Sequence, residues 1–283
     1  MADRPGPVLV TGANSGFGLA ASLRLARRGW DTWGTVRSRA KAKVLRDAAR
    51  EAGVSERVHP LVLDVSDHGA VVARWPRLPK FYAVVNNAGY SELGAVEEVT
   101  ADEAKRQLDV NLIAPAVVSA CALPAMRERG SGRIVMISSI AGRAAILPLN
   151  GWYHASKFGL EALSDVLRME VASFGVKVVI IEPGFFKTEI EQRARLRAAE
   201  READGHSPYR KAYGRVQMLT GAVASLAPPA DVVARAIVTA VETSRPRNRY
   251  VVGADALAVV TANPLLPRFV TDTFIRLATD LRG

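Results

Sequence analysis

Cysteine is almost absent from this chain of 283 residues. The single Cys121 excludes an internal disulfide framework and any multi-cysteine metal cluster. The four histidines, His59, His68, His154 and His206, have no metal-ligand spacing, so no metal is expected. Long apolar runs are missing as well. The longest, residues 254–262, is too short to span a bilayer, and Asn263, Pro264 and Pro267 interrupt its continuation, so no transmembrane segment is expected. The N-terminal residues pass into a short apolar strand without a secretory pattern, which makes a cytoplasmic location the expectation. Repeats and low-complexity tracts are also absent. Lysine is scarce, at eight of 38 basic residues. The net charge of +10 is spread over presumed helix faces without aromatic interleaving, which reads as solvated charge and not as nucleic-acid binding.

What is present is a soluble globular composition, 49% hydrophobic and 23% charged. Short β-branched runs fall at residues 7–11, 30–36, 58–65, 81–86, 133–138, 176–182 and 249–253. Helix-length segments lie between them at 16–28, 40–52, 101–129, 153–174 and 230–243. Strict alternation of this kind predicts an α/β fold with a doubly wound, parallel, seven-stranded sheet covered by helices on both faces. Continuous apolar strands such as Ile134-Val135-Met136-Ile137 fit a sheet buried on both sides. The alternation is unbroken to residue 184, so a single domain over 1–283 is expected. Residues 185–229 depart from the pattern and read as a small substrate-binding lobe over the strand ends.

The first strand runs into Thr11-Gly12-Ala13-Asn14-Ser15-Gly16-Phe17-Gly18 and then a helix. Such glycines permit a tight turn and close approach of a phosphate to backbone N–H groups at the positive helix end. The spacing is G-x-x-x-G-x-G and not the commoner G-x-G-x-x-G. Where a dinucleotide site preferring NAD usually carries a carboxylate, this chain has Val36 followed by Arg37, which favours NADP(H) over NAD(H). Asp64-Val65, closing the third strand, can meet the adenine. Asn87-Ala88-Gly89 ends the fourth, where ligands of open parallel sheets bind. Tyr153 and Lys157 stand at i and i+4 on one helix face. An ammonium beside a phenol favours phenolate and lowers a pKa that is otherwise about 10.

Together with Asn111, Ser138-Ser139, and Pro183-Gly184 followed by Thr188, these motifs resemble the short-chain dehydrogenase/reductase family over most of the chain. The branch containing 17β-hydroxysteroid and retinol dehydrogenases is the most similar in appearance. That resemblance implies a Rossmann-type fold and an NADP(H)-dependent oxidoreductase acting on a hydrophobic alcohol or its ketone. It makes Tyr153 the proton donor in reduction. Lys157 would lower the Tyr153 pKa and hold the nicotinamide ribose, Ser139 would donate to the carbonyl oxygen, and Asn111 would hold a water leading from Lys157. The backbone near Phe186 would meet the nicotinamide carboxamide, and Thr188 would reach the cofactor. A homodimer or homotetramer pairing through residues 101–129 and 153–174 is implied too.

Ser139 stands fourteen residues before Tyr153, one more than is usual in the family, so the shape of this loop is open and Ser138 is a second candidate. Leu147, Leu149, Phe185, Tyr213, Val216, Met218 and Leu219 are the apolar candidates for the substrate pocket, with core packing as their other use. His154 reads as a surface or loop-facing residue in preference to a proton relay. Within the C-terminal helical segment, 264–283, Val270, Phe274, Leu277 and Leu281 form one stripe, expected to serve core or subunit contact, with peripheral membrane contact as the alternative. Two other functions compete with the leading one: a 3-oxoacyl-carrier-protein-type reductase, supported by the positive charge, and a non-catalytic NADP(H)-binding sensor or scaffold.

Overall fold

Each expected apolar run forms a strand, because β-branched side chains fit a pleated surface packed on both faces. The computed structural model describes residues 6–281, the side chains of Glu191, Ser225 and Leu226 excepted. Its strands are β1 (Val8–Val10), β2 (Thr32–Val36), β3 (Val58–Val62), β4 (Ala83–Asn86), β5 (Gly132–Ile137), β6 (Val176–Pro183) and β7 (Arg249–Val252). They form one parallel sheet in the order β3-β2-β1-β4-β5-β6-β7. The order reverses between β1 and β4, and that switch opens a crevice at the carboxyl ends of the strands.

Helices α1 (Gly16–Arg27) and α2 (Arg39–Glu51) cover one face of the sheet, and α3 (His68–Arg74) lies on the other. The chain continues through α4 (Ala101–Leu108), α5 (Ala114–Arg129), α6 (Gly151–Glu170), α7 (Glu189–Ala203), α8 (Arg210–Leu226), α9 (Asp231–Glu242), α10 (Ala254–Ala262) and α11 (Arg268–Ala278). Leu25, Leu45 and Ile237 fix α1, α2 and α9 on the first face, and Val71, Met126 and Leu160 fix α3, α5 and α6 on the second. A third cluster, including Leu93, Leu149, Ala198, Tyr213 and Val216, joins the loop after β4 to α7 and α8.

Several expectations change. The helix expected over 101–129 is interrupted by a π turn at Asp109–Ile113. Pro115 has no N–H to offer the carbonyl four residues earlier, and the ladder widens there. This composite helix, and not 254–262, is long and apolar enough by length and composition to cross a membrane. In this fold one side of it packs against α3, α6, β4 and β5, and a third of its apolar stretch is buried. Residues 64 and 65 follow β3 as loop, and α3 and α10 are additional to the expected helices. Residues 185–229 contain the packed pair α7 and α8. On α11 the expected stripe is not core: Val270, Phe274 and Leu277 are exposed, and only Leu281 packs against the third cluster. Residues 1–5, which belong to the reading of a missing secretory pattern, lie outside the described residues, as do the final two of the C-terminal segment.

Candidate active site

The glycine turn is shaped by left-handed backbone and, at Gly12 and Gly18, by contacts that crowd out a side chain. Gly12 (φ 66°) and Gly16 (φ 52°) adopt left-handed conformations that favour glycine. A Cβ on Gly18 would lie 2.3 Å from the Gly12 carbonyl oxygen. Thr11 is buried; its hydroxyl oxygen accepts from the amides of Asn87 and Ala88, both at 2.9 Å, and so joins the turn to the end of β4. The Asn87 side-chain amide donates back to the carbonyls of Thr11 (2.8 Å) and Gly12 (3.2 Å). Thr11 and Gly18, expected among the cofactor residues, shape the groove and are not among the residues that line it.

The groove beside this turn is lined by Gly12, Asn14, Ser15, Gly16, Phe17, Arg37, Asp64, Val65, Asn87, Ala88 and Gly89. Lys41, on the first turn of α2, lines it beside Arg37 and escaped the sequence reading. Asp64 accepts from the backbone and hydroxyl of Ser66, which holds its carboxylate at the groove wall. A dinucleotide fits these residues: bare glycine backbone where phosphates approach, and two cations beyond β2.

Tyr153 and Lys157 enter the same groove from α6, with the ammonium 5.7 Å from the phenol ring centroid. The ammonium also donates to the Ile137 carbonyl at 2.8 Å. Burial pushes the Lys157 pKa down to about 8, against a smaller opposing pull from Glu161. Ser139 lines the adjoining apolar cavity with Tyr153. Its hydroxyl accepts from the Ala141 amide at 3.1 Å, capping a short 3₁₀ turn, Ile140–Gly142. Ser138, the second candidate, is largely buried yet lines both the groove and the cavity, and a Cβ on Gly142 would lie 2.9 Å from its hydroxyl oxygen. Asn111 is fully buried in the π turn and lines neither space. Its side chain donates to the Tyr90 carbonyl (2.8 Å) and the Ser156 hydroxyl (3.1 Å) and accepts from the Tyr90 amide (3.0 Å), tying the end of β4 to α6.

His154 is buried and faces the long loop. Nδ1 donates to the Ala141 carbonyl at 2.8 Å, and Nε2 accepts from the Leu147 amide at 3.4 Å. Burial lowers its pKa, so the neutral ring spans the loop from inside. Further along, Leu149 is left-handed (φ 62°), its carbonyl accepts from Gly94 at 2.7 Å, and Ser91 donates to the Asn150 side chain at 2.8 Å. Leu149, expected to touch substrate, does not line the cavity. The left-handed turn sends its side chain into the third cluster and away from the cavity. Tyr213 and Val216 are buried in the same cluster, and Met218 and Leu219 are exposed without lining the cavity. Leu147 and Phe185 do line it.

The Pro183-Gly184 turn after β6 is fixed by Asp255, whose carboxylate accepts from the Phe185 amide at 2.7 Å. Pro183, Gly184 and Phe186 line the apolar cavity and are not among the residues lining the dinucleotide groove, and Phe186 packs edge-on against Phe17 at 5.6 Å. Thr188, Tyr153, Ser138, Phe17 and Ile190 line both spaces and mark their junction. Behind α6 lies a charged network that the sequence reading missed, since its members are far apart in the chain. Arg249 meets Asp165 (2.6 Å), Glu161 (3.2 Å) and the fully buried Glu182 (3.0 Å), and Arg143 meets Glu182 at 2.9 Å. Burial, reinforced by the nearby Glu182 charge, raises the Glu161 pKa, while Ser138 and Arg249 oppose the shift.

With this geometry in view, residues 7–199 match the family model described as short chain dehydrogenase. The human protein named retinol dehydrogenase 5 is 32% identical over 286 aligned residues, which cover 95% of this chain and 87% of the relative. A short-chain dehydrogenase from Streptomyces avermitilis superposes with a TM-score of 0.76 at 31% identity and 98% coverage of both chains. Another, from Sphingobium yanoikuyae in complex with NADPH, gives 0.68 at 25% identity, covering 97% of this chain and 94% of the other. The chain belongs to the short-chain dehydrogenase family, and it is an NAD(P)-dependent oxidoreductase with relatives among the retinol dehydrogenases.

Proposed function

We propose that this protein is an NADP(H)-dependent oxidoreductase that interconverts a lipophilic alcohol with its ketone or aldehyde. The observation that carries this reading is the position of Tyr153 at the junction of a polar, cation-bearing groove and an apolar cavity. Bound in the groove, a nicotinamide supplies or accepts the hydride. In the reducing direction the Tyr153 hydroxyl gives its proton to the carbonyl oxygen, and the Ser139 hydroxyl donates a hydrogen bond to the same oxygen as negative charge develops there. The buried Lys157 ammonium stabilises the phenolate left behind. Asn111 acts at one remove, holding Tyr90 and Ser156 so that α6 presents its reactive face to the groove. Arg37 and Lys41 favour the 2′-phosphate of NADP(H), and Val36 offers no carboxylate to repel it.

Two partner expectations belong to the same reading. Ile113 beside α5 and Phe158, Val166 and Met169 on α6 leave apolar surface exposed, which supports pairing of two copies through these helices; a monomer mass by light scattering at micromolar concentration would count against it. The exposed face of α11 is the candidate for peripheral lipid contact, and failure to float with anionic vesicles would remove it. For the activity itself, the test is an NADPH-oxidation screen across steroids, retinoids, aliphatic ketones and acyl-carrier thioesters. Turnover of lipophilic ketones supports the proposal. Turnover of carrier thioesters alone would contradict it.

A further inference from the structure

At the rim of the apolar cavity, among the described residues, stands one exposed formal charge. Of the residues that line the cavity, only Arg195 carries one; its surroundings include Ile190, Ala194 and Ala198 on α7 and Thr220 and Ala224 on α8. The other arginines of this stretch of α7 are engaged. Arg193 pairs with Glu189, Arg197 with Glu92, Glu103 and Glu200, and Arg201 with Glu103 and the Glu98 carbonyl. Among the described residues Arg195 has no carboxylate partner. Its guanidinium lies beside Gly221 of α8, where a Cβ would stand in ordinary contact with Nη2 at 3.5 Å, so the group rests against α8 at the cavity rim.

From these observations we infer that the substrate carries a carboxylate, distant from its reacting carbon, that pairs with Arg195. The inference rests on the reading of Tyr153 and the adjoining cavity as a carbonyl-reducing site. Thr188 at the junction with the groove and Arg195 are seven residues apart along the start of α7, a rise of roughly 10 Å. The guanidinium fork matches a carboxylate in a bidentate pair, whereas the cavity between the two ends offers apolar contact to an alkyl or polycyclic body. A substrate held at both ends has its ketone placed at Tyr153 by charge pairing at the far end and by apolar burial in between. Covering of the pair by the bound ligand reduces the screening that an exposed ion pair ordinarily suffers.

The test uses 9-oxodecanoate, whose ketone and carboxylate lie eight bonds apart, and its methyl ester, which has the same body without the charge. NADPH oxidation is followed with the full-length wild-type, Arg195→Gln and Arg195→Lys proteins. The expected result is a KM for the acid raised about tenfold in Arg195→Gln with kcat little changed, a KM for the ester moved less than about threefold, and partial rescue by Arg195→Lys. Equal shifts for acid and ester would overturn the proposal, as would no shift for either. Titration calorimetry of both compounds into the protein with NADP⁺ present reads the same contrast without turnover. Arginine-dependent preference for the acid together with absent reduction would leave the anion site standing and refute the reductase reading, and absence of that preference in calorimetry would refute the anion site alone.

Discussion

The two halves of the cleft are held by different means. The dinucleotide groove is built from backbone at the ends of β1 and β4, locked by the Thr11 and Asn87 bonds and by glycines whose neighbours touch the bare Cα. The apolar cavity is walled by one long loop and by the α7 and α8 pair. These are attached through side chains: the third apolar cluster, His154 to Ala141, Ser207 and Tyr213 to Glu98, and Arg197 and Arg201 to Glu92 and Glu103. At Gly18 an added methyl meets the Gly12 carbonyl, whereas around the cavity the walls are mostly side chains of the loop, α7 and α8. Cofactor use is thus set by geometry that admits little variation, and substrate choice by walls whose composition can change without disturbing the sheet.

The severest way to challenge this contrast is Gly18→Ala. Its Cβ would press on the Gly12 carbonyl, and a loss of about 3 kcal/mol in stability is expected from forced overpacking. NADPH affinity should fall about a hundredfold by calorimetry. A comparable methyl added in the cavity, Ala224→Val, should leave NADPH binding unchanged. Lys157→Met comes next. Turnover should drop about a hundredfold, and urea titration at pH 7 should show a gain of about 2 kcal/mol, because removing a buried charge outweighs the lost bond to Ile137.

The same residue sets a pH dependence. Burial lowers the Lys157 pKa from 10.5 to about 8, so the cost of burying its charge is present below about pH 8 and is relieved as pH rises toward 10.5. Thermal midpoints of wild type relative to Lys157→Met should rise over that window, and kcat/KM for ketone reduction should fall as pH passes about 8 and the Lys157 ammonium is lost. A smaller effect is expected at the cofactor's far end. Arg37→Ala should weaken NADPH about tenfold more than NADH, and an equal loss for both would show that this arginine does not read the 2′-phosphate. The smallest concerns the loop. His154→Ala should raise substrate KM a few-fold and cost about 1 kcal/mol while leaving NADPH affinity intact; a matching loss of NADPH affinity would break the division between the halves.

The parts legible in the sequence are those that local spacing determines. Tyr153 and Lys157 share a face because any helix places i and i+4 together, and the glycine turn is readable because its constraint lies within eight residues. Alternation of strands and helices gave the sheet and its faces. What escaped depends on tertiary direction. Leu149 looked like a pocket residue, but its left-handed backbone turns it into the cluster around Tyr213. Lys41 joins Arg37 only because α2 starts beside the end of β2. The Glu161, Glu182 and Arg249 network needs α6, β6 and β7 side by side, with up to 88 residues of chain between bonded partners. His154 had a partial signal: being next to Tyr153 it faces elsewhere, and the loop wrapped over the start of α6 is what it meets.

The decisive measurement is a paired one on Tyr153→Phe: NADPH affinity by calorimetry and turnover of a ketone that the wild type reduces. If the groove holds the cofactor independently and the phenol at the junction supplies the proton, affinity should stay within about twofold while turnover falls about a thousandfold. Turnover within tenfold of wild type would contradict that assignment.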